Sequence, residues 1–411
     1  MAPFPLALSQ LLGHWGQYVV YFLIGMGFGA VLEMAGFGNS RKLAAQFYFT
    51  ELTVLKVMFG AIIVAMVLIF GASAIGLLDY NLVWVNHTYL WPGILGGLIM
   101  GVGFIIGGFC PGTSLVSAVT GKVDGLFFLL GVLFGIFAFG ETVGLYNEFF
   151  HSSYLGRFTL MDWLNLPAGV IVLFIVLMAL FMFWGAEQLE RIFGKRDLSK
   201  EPKWRYGAAG GIVALAVAVL VIGQPTPADR WNAIAEEAEA QLAARVYQIH
   251  PAELLDLMHD PAVRVVMLDV RSETDYNTFH IIDARHAPLK ELPKLTNELL
   301  SQPQNTVIVV MSNDETAATE AWKMLVSQSV PNVYILGGGV NGWIDTFADE
   351  EFRATHAIEG APDDTLRYRF EAALGARHPA AEPDPHEFDL EYEAKVQLQI
   401  RRGPTGGGCG S

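Results

Sequence analysis

Charge is scarce in this chain: only 16% of its 411 residues are Asp, Glu, Lys or Arg. Soluble domains carry about 25%, so an ordinary soluble protein is excluded. Cysteine is scarcer, with Cys110 and Cys409 alone, and two cysteines exclude a disulfide framework. No Lys or Arg precedes Arg41. Residues 1–36 therefore lack the basic n-region of a secretory signal and are not expected to be a cleaved leader. Positive charge is also short overall. Residues 1–223 hold 11 basic and 11 acidic groups, while residues 224–411 hold 15 basic and 30 acidic, the whole net charge of −15. An acidic C-terminal half argues against nucleic acid as a partner.

What the sequence has is apolar length: 53% of its residues are hydrophobic and mean hydropathy is +0.39. Apolar runs near 17–36, 53–78, 92–109, 123–147, 166–186 and 205–223 approach or exceed the roughly 20 residues that cross a bilayer. The fold class expected is an α-helical polytopic membrane domain of about six crossings, followed by a soluble α/β domain. The third run passes through Cys110, Pro111 and Gly112 into a weakly polar stretch ending at Thr120, which reads as a broken helix and a half-helix. Arg41, Lys42, Lys56, Lys122 and the basic gap from Arg191 to Arg205 lie on one side. The loops 79–91 and 148–165 share only Arg157. By the positive-inside rule the N-terminus and the soluble half then lie outside, in the periplasm of a bacterium whose inner membrane holds the chain.

An internal repeat adds to this. Gly25-Met-Gly27-Phe28 recurs as Gly101-Val-Gly103-Phe104, and Phe59-Gly60 recurs as Phe134-Gly135. Each copy holds a Gly-rich helix, a break and a second long helix. The breaks are Gly36-Phe37-Gly38-Asn39-Ser40 and Cys110-Pro111-Gly112-Thr113-Ser114. Repeats with broken helices are a recurring transporter design. Helix N-termini bind small anions through free N–H groups and a partial positive charge. Pro111 suits a first helical turn, Gly112 admits a ligand, and Thr113 and Ser114 add hydroxyls. Asn39 and Ser40 stand in the matching place. Cys110 beside such an end suggests a sulfur-containing anion. Glu33 is expected to pair with Arg41 or Lys56.

The run Gly107-Gly108-Phe-Cys110-Pro-Gly-Thr113, with the Gly-rich helix before it and the break at Gly36 and Gly38, resembles the YeeE/YedE sulfur-transport family. The resemblance implies uptake of thiosulfate or a related compound past pathway cysteines. This chain departs from a multi-cysteine relay: only Cys110 is present, and Met34 is taken as its counterpart in the repeat. One gating cysteine is what carries over. No metal and no cofactor is expected.

After Gln224-Pro-Thr-Pro227 a charged helix with Trp231, Ile234, Ala238 and Leu242 on one side is expected to link the halves over 224–244. Val265–Asp269, Thr306–Met311 and Val333–Leu336 are continuous apolar runs of the kind found in buried parallel strands. Helices are expected at 251–259, 291–300 and 315–327. Leu268-Asp269-Val-Arg271, Phe279-His280-Ile281 and Val333-Tyr-Ile-Leu-Gly-Gly-Gly-Val-Asn-Gly-Trp343 resemble a rhodanese domain, here over 245–352. The resemblance implies a nucleophilic cysteine just after the central strand. Ser312 stands there, with Asp314 and Glu315 beside it, so a catalytically degenerate site of Asp269, Arg271 and Ser312 is expected. Residues 353–411 read as an extended tail, flexible from about 375 with a short strand at Lys395–Ile400. It ends Gly-Gly-Gly-Cys409-Gly-Ser, which resembles the swinging arm of a periplasmic sulfur carrier.

The function expected is a membrane permease, not an enzyme, for thiosulfate or a similar sulfur anion. Cys409 would handle sulfur with a carrier or sulfur-oxidising partner protein. The alternatives are a membrane-anchored sulfur carrier or scaffold that transports nothing, and a sulfur sensor.

Overall fold

A computed structural model of the chain describes residues 2–6, 8–195, 202–388 and 391–398. It divides into two compact units that part between Gln224 and Pro225. Among the described residues the first unit contains the α-helices α1 (Leu8–Met34), α2 (Ser40–Ala45), α3 (Thr53–Ala74), α4 (Leu90–Gly107), α5 (Pro111–Val119), α6 (Val123–Thr142), the short α7 (Asn147–Phe150) and α8 (Leu160–Leu164), α9 (Ala168–Ile192) and α10 (Trp204–Ile222). A two-stranded ribbon, β1 (Thr88–Tyr89) and β2 (Tyr154–Gly156), pairs antiparallel. Six stretches are long and apolar enough to span a membrane, from Leu11–Met34 to Trp204–Ile222. The protein is a multi-pass membrane protein.

The helix breaks follow from local chemistry. α4 stops where Gly108 turns left-handed, at φ +70°, a conformation that suits glycine as the residue ending a helix. Pro111 then opens α5 at a position that needs no N–H donor. α5 returns against α6, with Gly125 admitting Ser117 so closely that any Cβ would collide. α3, α9 and α10 form the other packed group, around Val67, Val172, Val176 and Ala216. Gly169 lets α9 approach the Leu220 backbone of α10, its would-be Cβ 2.7 Å from Leu220 Cα. Small residues at such crossings are how membrane helices gain contact without a hydrophobic driving force. One ion pair is sealed in: Glu190 of α9, fully buried, accepts from the Leu52 amide at 2.6 Å and from Lys56 Nζ at 2.6 Å. It thereby caps the start of α3 and occupies Lys56, one of the two partners expected for Glu33.

The second unit is an α/β domain. In chain order it contains α11 (Pro227–Ala243), β3 (Gln248–Ile249), α12 (Pro251–His259), β4 (Arg264–Asp269), α13 (Glu273–Thr278), β5 (Arg285–His286), α14 (Leu292–Leu300), β6 (Thr306–Met311), α15 (Thr316–Ser327), β7 (Val333–Leu336), α16 (Gly339–Phe347) and α17 (Glu350–His356). The five strands are parallel in the order β3-β7-β6-β4-β5. Every residue of β6 is buried, which is why its sequence reads as an unbroken apolar run. Alternate residues serve two faces. Val307, Val309 and Met311 share a core with Leu254, Trp343 and Ile344 of α12 and α16. Ile308 and Val310 share the other with Leu292, Ala318 and Trp322 of α14 and α15.

Two expectations change here. α11 is no bare linker: Trp231, Ala238 and Leu242 pack into the second core, against α15. The segment after α17 is no loose tail either. Tyr368, Ala380 and Ala381 are buried in the first core, and Trp343 donates its indole N–H to the Ala380 carbonyl at 2.7 Å. Composition concealed this, because the buried residues stand singly among many Pro, Ala and Glu. Residues 391–398 form no strand, yet a buried Glu253 accepts from the Lys395 and Val396 amides at 2.8 and 2.7 Å. The Lys395 ammonium donates to the Arg245 and Gln248 carbonyls. Gln399 and Ile400, the end of the expected strand, lie outside the described residues.

Candidate functional site

In the membrane unit the two interrupted helices meet at their breaks. Phe37 and Phe109, one from each break, are both buried and share a core with Leu43 and Val54. Gly108 faces Ser40: a Cβ there would stand 3.3 Å from Ser40 Cβ and 3.4 Å from its carbonyl oxygen. Gly107 lies under the Phe128 ring, with no room for any side chain. Gly36 and Gly108 both adopt positive φ at the end of their helices, and Asn39 and Cys110 are both N-caps in extended conformation. The break-to-break correspondence therefore matches Cys110 with Asn39. Met34, the counterpart expected from sequence spacing, is the last, largely exposed residue of α1.

Cys110 caps α5 in an unusual way. Its Sγ accepts from the Thr113 amide at 3.5 Å, while its own amide donates to Thr113 Oγ1 at 2.9 Å. This is a reciprocal capping box with a thiol in the place usually held by Ser or Thr. Thr113 Oγ1 lies 3.3 Å from Sγ and 3.1 Å from the Cys110 carbonyl oxygen. The Ser114 hydroxyl is spent on the Pro111 carbonyl at 2.7 Å. Thr113 and Ser114 are buried while Pro111 and Gly112 are exposed, with Cys110 between. The hydroxyls thus shape the helix end, and the sulfur with the first turn makes its accessible surface. Asn39 Oδ1 caps α2 by accepting from the Arg41 amide at 3.1 Å.

Charge gathers at the first break. The Lys42 ammonium donates to the Ala35 carbonyl at 2.9 Å, over Gly36. The Lys122 ammonium, at the start of α6, donates to the Gly38 carbonyl at 2.8 Å. Both answer orphan carbonyls beyond a helix C-terminus, where cations are favoured. Glu33 Oε2 also lies beside Gly38. Lys122 is 84 residues from Gly38, and no local pattern joins the two.

In the α/β unit the loop after β6 leads into the N-terminus of α15. Ser312, only 1% exposed, donates to the Asp314 carbonyl at 3.0 Å and accepts from the Ala318 amide at 3.1 Å. A carboxylate fills the rest of the loop. Asp364 accepts from the Asp314 amide at 3.2 Å and the Ala317 amide at 3.3 Å, and its own amide donates to Asp314 Oδ2 at 2.9 Å. Burial would raise the Asp314 carboxyl, but hydrogen bonds from the Thr316 and Asp364 amides hold it below its ordinary value. Asp364 is pushed up, first by burial and then by the nearby Asp314 charge. Asp269 and Arg271 form a buried pair at 2.6 Å, and Arg271 Nη1 reaches Asn313 Oδ1 at 3.2 Å. The expected trio of Asp269, Arg271 and Ser312 thus does frame one loop. Asp364 was missed because it lies about fifty residues on, in a stretch read as tail. A cavity of about 310 Å³ is lined by Arg245, Gln248, His250, Tyr392 and Lys395 among others. Cys409 lies outside the described residues.

Comparison with known families supports both halves. Residues 34–235 match the family model described as Sulphur transport, and residues 250–346 match the Rhodanese-like domain. Comparison with curated proteins and with solved structures returned no match. The chain joins a sulphur-transport region to a rhodanese-like domain and is a membrane protein of sulfur metabolism.

Proposed function

We propose that this protein is a permease for thiosulfate or a close sulfur-anion relative, and that Cys110 is its contact with the travelling sulfur. The observation that carries the reading is the juxtaposition of the two breaks, with Gly108 set against Ser40 and a thiol capping the helix that follows. Desolvating an anion is costly, and a helix N-terminus offsets part of that cost with oriented amides. The Thr113 amide and hydroxyl engage the Cys110 sulfur, which fixes the thiol at the start of the helix that faces the travelling anion. Pro111, Gly112, Asn39 and Ser40 form the remaining surface of the passage.

The rhodanese-like domain, on this reading, transfers no sulfur. Serine forms no persulfide, and here its hydroxyl is committed at both ends while Asp364 fills the loop. The domain instead presents a docking surface and carries the Cys409 arm, on the periplasmic side, to a sulfur-handling partner. Uptake of radiolabelled thiosulfate into vesicles containing the full chain tests the reading: uptake is expected, and Cys110→Ala should remove it. Absence of flux together with mass adducts on Cys409 would instead establish an anchored carrier.

A further inference from the structure

The transport reading leaves Lys122 and Glu33 without a task. A C-terminal carbonyl needs one donor, and water or an amide could serve Gly38. The chain instead brings an ammonium from the second repeat to the first repeat's break, at 2.8 Å. Lys122 Nζ and Glu33 Oε2 lie 3.0 and 2.8 Å from the point where a Cβ on Gly38 would stand, with Thr120 Oγ1 at 3.6 Å. Opposite charges thus flank one glycine, and any side chain there would press on both.

The contrast with Lys56 and Glu190 is instructive. That pair is locked at 2.6 Å with the carboxylate fully buried, as a structural clamp would be. Glu33 and Lys122 are both exposed, and the nearest recorded partner of the ammonium is a neutral carbonyl. A lysine held this way can exchange its partner, because little is lost when an exposed charge changes contacts. Lysine is also a compact point charge with three donors, indifferent to the orientation of a tetrahedral anion. The second break has no charged residue from Ile105 to Val119, so its helix end and thiol have no fixed charge of their own.

Resting on the transport reading, we infer that Lys122 is a specificity-determining residue of the passage, adding to Lys42 at the first break a second fixed positive charge, the one beside Gly38, that selects a dianionic substrate. Glu33 is the resident carboxylate that competes with that substrate for the ammonium. An anion in the passage takes the place of Glu33 in the field of Lys122 at the first break, against the neutral, thiol-capped second break. Cations at the first break and none at the second keep binding strong enough to select the anion and weak enough for release.

The test measures concentration-dependent uptake of radiolabelled thiosulfate by vesicles holding wild-type protein, Lys122→Gln, Lys122→Arg and Glu33→Gln. Lys122→Gln should raise KM about tenfold, equivalent to about 1.4 kcal/mol, with the maximal rate largely kept. Lys122→Arg should restore most of the affinity, and Glu33→Gln should lower KM. A merely structural lysine would alter the amount of folded protein and the maximal rate, not KM. Wild-type KM in Lys122→Gln overturns the proposal, as does a raised KM in Glu33→Gln, which decides the matter even if Lys122→Gln fails to fold. If wild-type vesicles take up no thiosulfate, the transport reading falls and this gate falls with it. If they do and KM is unmoved, the gate alone falls.

Discussion

The chain contains two helix starts of similar design with opposite outcomes. α5 begins at Cys110 and α15 follows Ser312, each after an extended or looped residue whose side chain accepts from an early amide of the helix. At α5 the sulfur does the capping and the first turn is left accessible. At α15 the hydroxyl caps, and a carboxylate from fifty residues away closes the rest. Amides at a helix start attract an anion in both places; what differs is whether the chain supplies that anion itself. The contrast is between a helix start left open and one that the chain closes with a carboxylate of its own.

Substitutions can break this contrast, beginning with the largest effect. Cys110→Ser keeps an oxygen cap of the kind helices prefer but removes sulfur. Uptake should fall to background, while the amount and thermal stability of the purified protein stay close to wild type. Retained uptake would mean that the cap matters and the thiol does not. Opening the closed site is the converse. Ser312→Cys alone should give a buried thiol that reacts slowly with alkylating reagents. Adding Asp364→Ala should speed its labelling at least about tenfold, the amount expected if the latch contributes about 1.4 kcal/mol. Equal labelling rates in the two variants would show that Asp364 does not close the loop. Gly107→Ala tests the packing beneath the open site. A methyl group under the Phe128 ring should destabilise the membrane unit by about 1–3 kcal/mol, read as a lower thermal midpoint in detergent.

The smallest effect is in pH. Asp364 is raised in the fold, so its contribution to stability is fully present below the unfolded carboxyl value and is lost as pH rises through the folded one. Asp314 is lowered, so its contribution is present above the unfolded value and is lost as pH falls through the folded one. Asp364→Asn should therefore flatten the stability profile just above the ordinary aspartate range, and Asp314→Asn should flatten it below that range. Denaturant titrations of the full chain at stepped pH would register either change; parallel profiles would count against the coupling.

Much of this was legible in the sequence because the signals were local. Apolar length marked the spans, continuous apolar runs marked β4, β6 and β7, and Cys110-Pro111-Gly112 marked the restart of a helix. What stayed hidden depended on distance along the chain. Lys122 at Gly38 and Glu190 at Lys56 are joined only by the way helices pack. Asp364 lies in a stretch read as an extended tail, and Tyr368, Ala380 and Ala381 bury themselves there one residue at a time. Met34 was matched to Cys110 by counting residues, whereas the caps themselves match Asn39 with Cys110.

The docking of Lys395 and Val396 on Glu253 has a consequence for the far end of the protein. Leu398 packs against the first core of the α/β domain, and Cys409 follows eleven residues later. A fully stretched chain of that length covers at most about 40 Å. On the proposed carrier reading, a partner that loads or unloads Cys409 must therefore come within that radius of Leu398.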